Sequence, residues 1–68
     1  MSLMKADWDD VEELIEKTLN DRIRVYDNYK YMLIDDSHVL VKVYEDDQPI
    51  FTIKFQLNGE KLEVVEAW

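Results

Sequence analysis

Apolar residues recur along this chain with two different periods, and the change of period divides it into a helix and a sheet. Trp8, Val11, Leu14, Ile15, Thr18 and Leu19 are spaced by three and four positions, which is the apolar stripe of an amphipathic helix. Asp7 precedes the stripe as a candidate N-cap, Asp9 and Asp10 stand where the helix dipole favours negative charge, and Asn20 and Asp21 mark the end. From Arg22 onward Val, Ile, Tyr and Phe alternate with polar residues, and strands are expected over 22–26, 29–34, 38–44, 50–57 and 60–67. Asp27-Asn28, Asp35-Asp36-Ser37, 45–49 and Asn58-Gly59 separate them. These connections are too short for parallel crossovers, so the strands are expected to form an antiparallel meander.

Asn58-Gly59 is the strongest turn signal, because a tight hairpin needs residues that tolerate positive φ. Centring the hairpin there pairs Leu57 with Glu60, Phe55 with Leu62, Ile53 with Val64 and Phe51 with Glu66, and on the other face Gln56 with Lys61, Lys54 with Glu63 and Thr52 with Val65. Across the preceding strands Val43, Val41 and Val39 meet Phe51, Ile53 and Phe55, and Tyr29, Tyr31 and Leu33 meet the same valines. The helix stripe must cover this apolar face. The fold class expected is α+β: one N-terminal amphipathic helix packed on one face of a four- to five-stranded antiparallel meander sheet.

The sheet's other face follows by alternation. It holds Arg24, Lys30, Met32, His38, Leu40, Lys42, Tyr44, Ile50, Thr52, Lys54, Gln56, Lys61, Glu63 and Val65. One helix cannot cover both faces, so Leu40, Lys42, Tyr44, Ile50, Lys54 and Val65 are expected to form a mixed apolar and cationic surface that binds a partner. Sixteen acidic residues against eight basic ones leave the chain at −8, yet this face has five cations and one anion. The acid is concentrated elsewhere. On the helix, Asp9, Glu13 and Glu16 form a row of carboxylates spaced by about 5 to 6 Å, and the particle is expected to be bipolar.

Sixty-eight residues make one domain, and a domain of this size buries only about 60 % of the surface its unfolded chain exposes. There is no cysteine to staple it, so dimerisation is worth expecting. Met1-Ser2-Leu3, ahead of a second methionine at Met4, reads as a cloning remnant, and the domain is taken as 4–68. No apolar run approaches the roughly 18 to 20 residues of a membrane span and no basic and apolar leader is visible, so a cytoplasmic protein is expected.

Ile50 to Trp68, with Phe51-x-Ile53-x-Phe55-x-Leu57-Asn58-Gly59-x-x-Leu62, resembles the opening hairpin of Sm-like RNA chaperones, and a helix followed by five strands is that family's element order. The hairpin comes last here and first there, however, and the glycine that bends the family's next strand is absent. A helix followed by a meander is also similar in order to cystatin-like domains, without a shared motif. No family membership follows.

Chemistry has little support in the sequence. His38 is the one histidine, placed beside Ile34 and Gln56 with no adjacent acid, and no glycine-rich phosphate loop is present. Asp35-Asp36 and Asp46-Asp47 lack the alternating oxygens of a calcium loop and read as turn formers. No enzyme, cofactor or metal is expected. On the open sheet face, lysine stems could simply screen a solvated surface. Two copies meeting face to face would oppose their lysines, and an acidic patch on another protein suits the surface better. A single-stranded nucleic acid would need aromatic platforms, of which only Tyr44 is well placed. On the acidic helix face the rival to a solvated surface is a nucleic-acid-mimicking inhibitor. The net charge disfavours duplex nucleic acid as a partner.

Overall fold

The computed structural model describes residues 2–23 and 26–68. It has one helix, α1 (Trp8–Arg22), followed by the strands β1 (Asn28–Asp35), β2 (His38–Glu45), β3 (Gln48–Asn58) and β4 (Lys61–Ala67). The strands form one antiparallel sheet in the order β1-β2-β3-β4, the expected meander with four strands. The strand expected over 22–26 does not form among the described residues: Arg22 closes α1, Ile23 caps it in extended geometry with its N–H donating to the Leu19 carbonyl at 2.7 Å, and Arg24 lies outside the described residues. Asp7 takes an N-cap backbone conformation but its carboxylate makes no capping hydrogen bond.

The core is the interior of two layers. Val11, Ile15 and Leu19 of α1 are buried against Val39, Val41 and Val43 of β2, Ile53 and Phe55 of β3 and Leu62 of β4. Leu14 is half-buried at its margin, whereas Trp8, expected in the same stripe, is 66 % exposed. Leu3, ahead of the expected domain, also packs into the core. Its side chain is 1 % exposed in the core, its N–H donates to the Asp36 carbonyl at 2.9 Å, and the Ser2 hydroxyl donates to the Asp36 carboxylate at 2.7 Å. Leu3 therefore closes the core at the β1–β2 turn.

The expected register holds through the first three strands. Tyr29 faces Val43, Tyr31 faces Val41 and Leu33 faces Val39, and those valines face Phe51, Ile53 and Phe55. It fails at the last hairpin. Asn58 pairs with Lys61, Leu57 with Leu62 and Phe55 with Val64, so the two-residue loop is Gly59-Glu60. Gly59 has φ +66, as the first central position of a type II′ turn requires. The slip is by two residues, which preserves the faces. Beyond it a bulge leaves Val65 unpaired, so that Lys54 faces Glu66 and Ile53 faces Ala67. Similar irregularities at Ile34 and Ile50 interrupt the β1–β2 and β2–β3 ladders near their turns.

The β2–β3 turn is tighter than the sequence suggests. Glu45 pairs with Gln48, and Asp46 and Asp47 both adopt positive φ, the type I′ arrangement, with the Asp46 N–H donating to the Asp27 carboxylate at 2.7 Å. Two consecutive left-handed aspartates are strained.

Two stability changes follow. Leu3→Ala should lower the unfolding free energy by about 2 to 5 kcal/mol, read as a large drop in urea midpoint; an unchanged midpoint would mean that Leu3 is not a core residue. Asp47→Gly should raise stability by about 0.5 to 1 kcal/mol by removing the left-handed penalty, and a lower midpoint in that variant would contradict the turn geometry.

Candidate functional site

Alternation along the strands gives the sheet an open face, which no element among the described residues covers. Its cross-strand rows are Asn28, Tyr44 and Pro49; Lys30, Lys42 and Thr52; Met32, Leu40, Lys54 and Glu66; and His38, Gln56 and Glu63. Leu40, Lys42, Tyr44 and Lys54 are thus brought together as expected. Ile50 and Val65 are not: each is the extra residue of a bulge with no cross-strand partner, although both are exposed.

Trp68 takes a place on this face that alternation had not given it. Its N–H and carbonyl both bond to Thr52, at 2.9 and 2.8 Å, which sets it opposite Thr52 with 63 % of its surface exposed. The bulge at Val65 shifts the phase of the last strand, and two adjacent valines carry no sequence mark of it.

Lys30 and Lys42 are directly opposed across β1 and β2. Like charges in that position are destabilising, and among the described residues neither has a carboxylate within ion-pair distance. Lys30 instead places its ammonium 5.5 Å from the centre of the Tyr44 ring, a favourable cation–π contact. Between the two lysines, Met32 and Leu40 help line a shallow hollow of about 220 Å³. Lys61 alternates with buried Leu62 on the open side but lies at the hairpin end, where it lines a separate groove of about 380 Å³ with Leu14, Thr18 and Arg22. Glu66 joins Glu63 on the open face, so its positive excess is smaller than alternation alone implies.

The second surface is the outer side of α1. Asp9, Glu13 and Glu16 are all exposed along it. The helix carboxylates also reach the sheet, because Tyr29 is pushed up to about 12, first by burial and then by Glu16 and Glu12. Tyr31 is raised for the same reasons, with burial again first and Glu12 next.

His38 requires a correction. The β1 irregularity at Ile34 moves Asp35 into register with His38, so the imidazole does have an acid neighbour: Nδ1 lies 2.8 Å from the Asp35 carboxylate and 3.2 Å from the Ser37 hydroxyl. This cluster is a turn lock. Asp35 accepts from the Ser37 N–H at 2.9 Å and from its hydroxyl at 3.2 Å, while a nucleophile would need its hydroxyl beside a free imidazole nitrogen that serves as base. The Asp35 carboxyl is held down at about 2, first by the Ser37 amide and then by His38. Of the acidic pairs read as turn formers, Asp46-Asp47 is a turn and Asp36 lies in one, with Asp35 ending β1 beside it; no group of three or more potential metal ligands is clustered among the described residues. Among the described residues no helix is long and apolar enough to cross a membrane.

Compared with protein-family models, curated proteins and solved structures, the chain gives no match.

Because Asp35 has its carboxyl lowered in the folded state, the stability it contributes is present above pH 3.8 and lost as pH falls from there through about 2. A carboxyl titration by NMR should show His38→Ala moving Asp35 upward while leaving it below 3.8, since the Ser37 amide is the larger cause. An Asp35 that titrates normally in the wild type would show that the turn lock does not form.

Proposed function

We propose that the chain is a small, non-enzymatic, cytoplasmic interaction module that binds an acidic surface of another protein through its open sheet face. The observation that carries this reading is the Lys30 and Lys42 pair. A chain with twice as many acids as bases sets two lysines opposite one another with no carboxylate within ion-pair distance among the described residues, flanked by Met32, Leu40 and Tyr44. A carboxylate from a partner would relieve the repulsion, and the apolar side chains beside it would supply the buried area. Lys54, Leu40 and Tyr44 extend the same surface, and Trp68, an amphipathic anchor of the kind enriched at binding hot spots, stands at its far side.

The acidic helix face supports the second reading. Asp9, Glu13 and Glu16 form an exposed row on a rigid element, suited to a basic groove that ordinarily holds a nucleic-acid backbone.

Affinity capture from lysate at low and high salt, with Lys42→Glu/Lys54→Glu and Glu13→Lys/Glu16→Lys variants beside the wild type, separates the readings. The expected result is a salt-sensitive protein partner lost on reversal of the lysines and kept on reversal of the helix charges. Loss only on reversal of the helix charges would favour the nucleic-acid mimic. Capture of nothing by the wild type, or binding of a labelled single-stranded oligonucleotide that depends on Trp68 and Tyr44, would overturn the protein-binding reading.

A further inference from the structure

The two edges of the sheet are unlike each other. In the order β1-β2-β3-β4, the outer strands β1 and β4 each leave a row of backbone N–H and C=O groups that has no partner strand among the described residues, a template that proteins usually blunt with charge, proline or bulges. β4 is blunted: Lys61, Glu63 and Glu66 lie along it and the bulge at Val65 interrupts it. β1 is blunted only at its end, by the bulge at Ile34 and by Asp35. From Asn28 to Leu33 it pairs regularly with β2 and carries a single charge, Lys30, and no proline. Beside this edge, on the helix side, the Tyr29 and Tyr31 rings stack at 6.2 Å and Trp8 lies 5.9 Å from Tyr31 while remaining largely exposed.

We propose that β1 is a dimerisation edge, pairing antiparallel with β1 of a second copy of this chain about a twofold axis at Tyr31 to give one continuous eight-stranded sheet. The unpaired backbone row fixes the occupant as an extended strand, and self-complementarity selects the copy and its register. With both helices on one side, the axis must pass through a residue position. An axis at Lys30 would set the two Lys30 side chains opposite each other. An axis at Met32 would set Tyr29 against Asp35, beyond the irregularity at Ile34 where regular pairing has stopped. An axis at Tyr31 sets Tyr29 against Leu33, Lys30 against Met32 and the two Tyr31 rings against each other, with no charges opposed. It also brings both Trp8–Tyr31 pairs to the interface, which gives the exposed Trp8 a burial site. This contact is isologous and closed, so it ends at the dimer. It uses the edge and not the open face, and therefore goes beyond the function proposed above: both open faces stay free and join into one surface.

The chain has no cysteine, so single-cysteine variants report the contact cleanly. Tyr31→Cys should form an intermolecular disulfide under mild oxidation, because residues directly opposed across antiparallel strands lie within disulfide reach. Lys42→Cys, on the open face, should not. Hydrogen exchange on the wild type supplies a measurement that needs no variant: raising the protein concentration should protect alternate amides of residues 28–33 and leave those of β4 unchanged. A wild type that sediments as a monomer across its whole soluble range would overturn the proposal, and so would a dimer that cross-links through Lys42→Cys or protects β4 instead of β1.

Discussion

A sheet has two faces, and among the described residues there is one helix with which to cover them. The buried contact of Val11, Ile15 and Leu19 with the valine row of β2 and with Ile53 and Phe55 of β3 is the constraint on which everything else rests. Because side chains alternate across a strand, committing the valines to the helix commits Lys30, Met32, Leu40, Lys42, Tyr44 and Lys54 to the opposite side. The open face is a necessary product of the core. Its composition is not, since an uncovered face can be wholly polar, and here it joins apolar side chains to opposed lysines.

The same small core explains the weight carried by local devices. With no buried polar side chain among the described residues, the interior is held by packing alone, and Leu3 completes it from outside the helix and sheet. The turns are locked by carboxylates, Asp35 on Ser37 and His38, and Asp27 on the Asp46 amide. Acidic residues thus have two separate uses. Some fix the meander at its corners, and Asp9, Glu13 and Glu16 lie exposed along α1.

Bulges decide where the alternation stops. Each strand pair becomes irregular at one end, at Ile34, Ile50 and Val65, and each irregularity relocates a residue that matters: Asp35 comes beside His38, Ile50 leaves the open-face ladder, and Trp68 enters it opposite Thr52. On β1 the irregularity lies near the end, so pairing is regular from Asn28 to Leu33.

By itself the sequence determined the helix, the meander, the pairing of β1 with β2 and of β2 with β3, and the face on which each central residue lies. Those features follow from periodicity, and a slip of one residue would expose a whole apolar row, so burial enforces them. The sequence left open whatever alternation does not constrain. At the Asn58-Gly59 hairpin a slip of two residues keeps every face intact, so the choice between loops fell to the conformation of Gly59. The bulges leave no compositional mark, which is why the loss of cross-strand partners at Ile50 and Val65 was not legible and why Trp68 and the Asp35 neighbour of His38 were missed. Trp8 fits the helical stripe but lies at the first turn, beyond the valine row, and only the position of the helix over the sheet decided that it stays exposed. Leu3 belongs to no periodic segment, and its burial was decided by the space left at the end of the core.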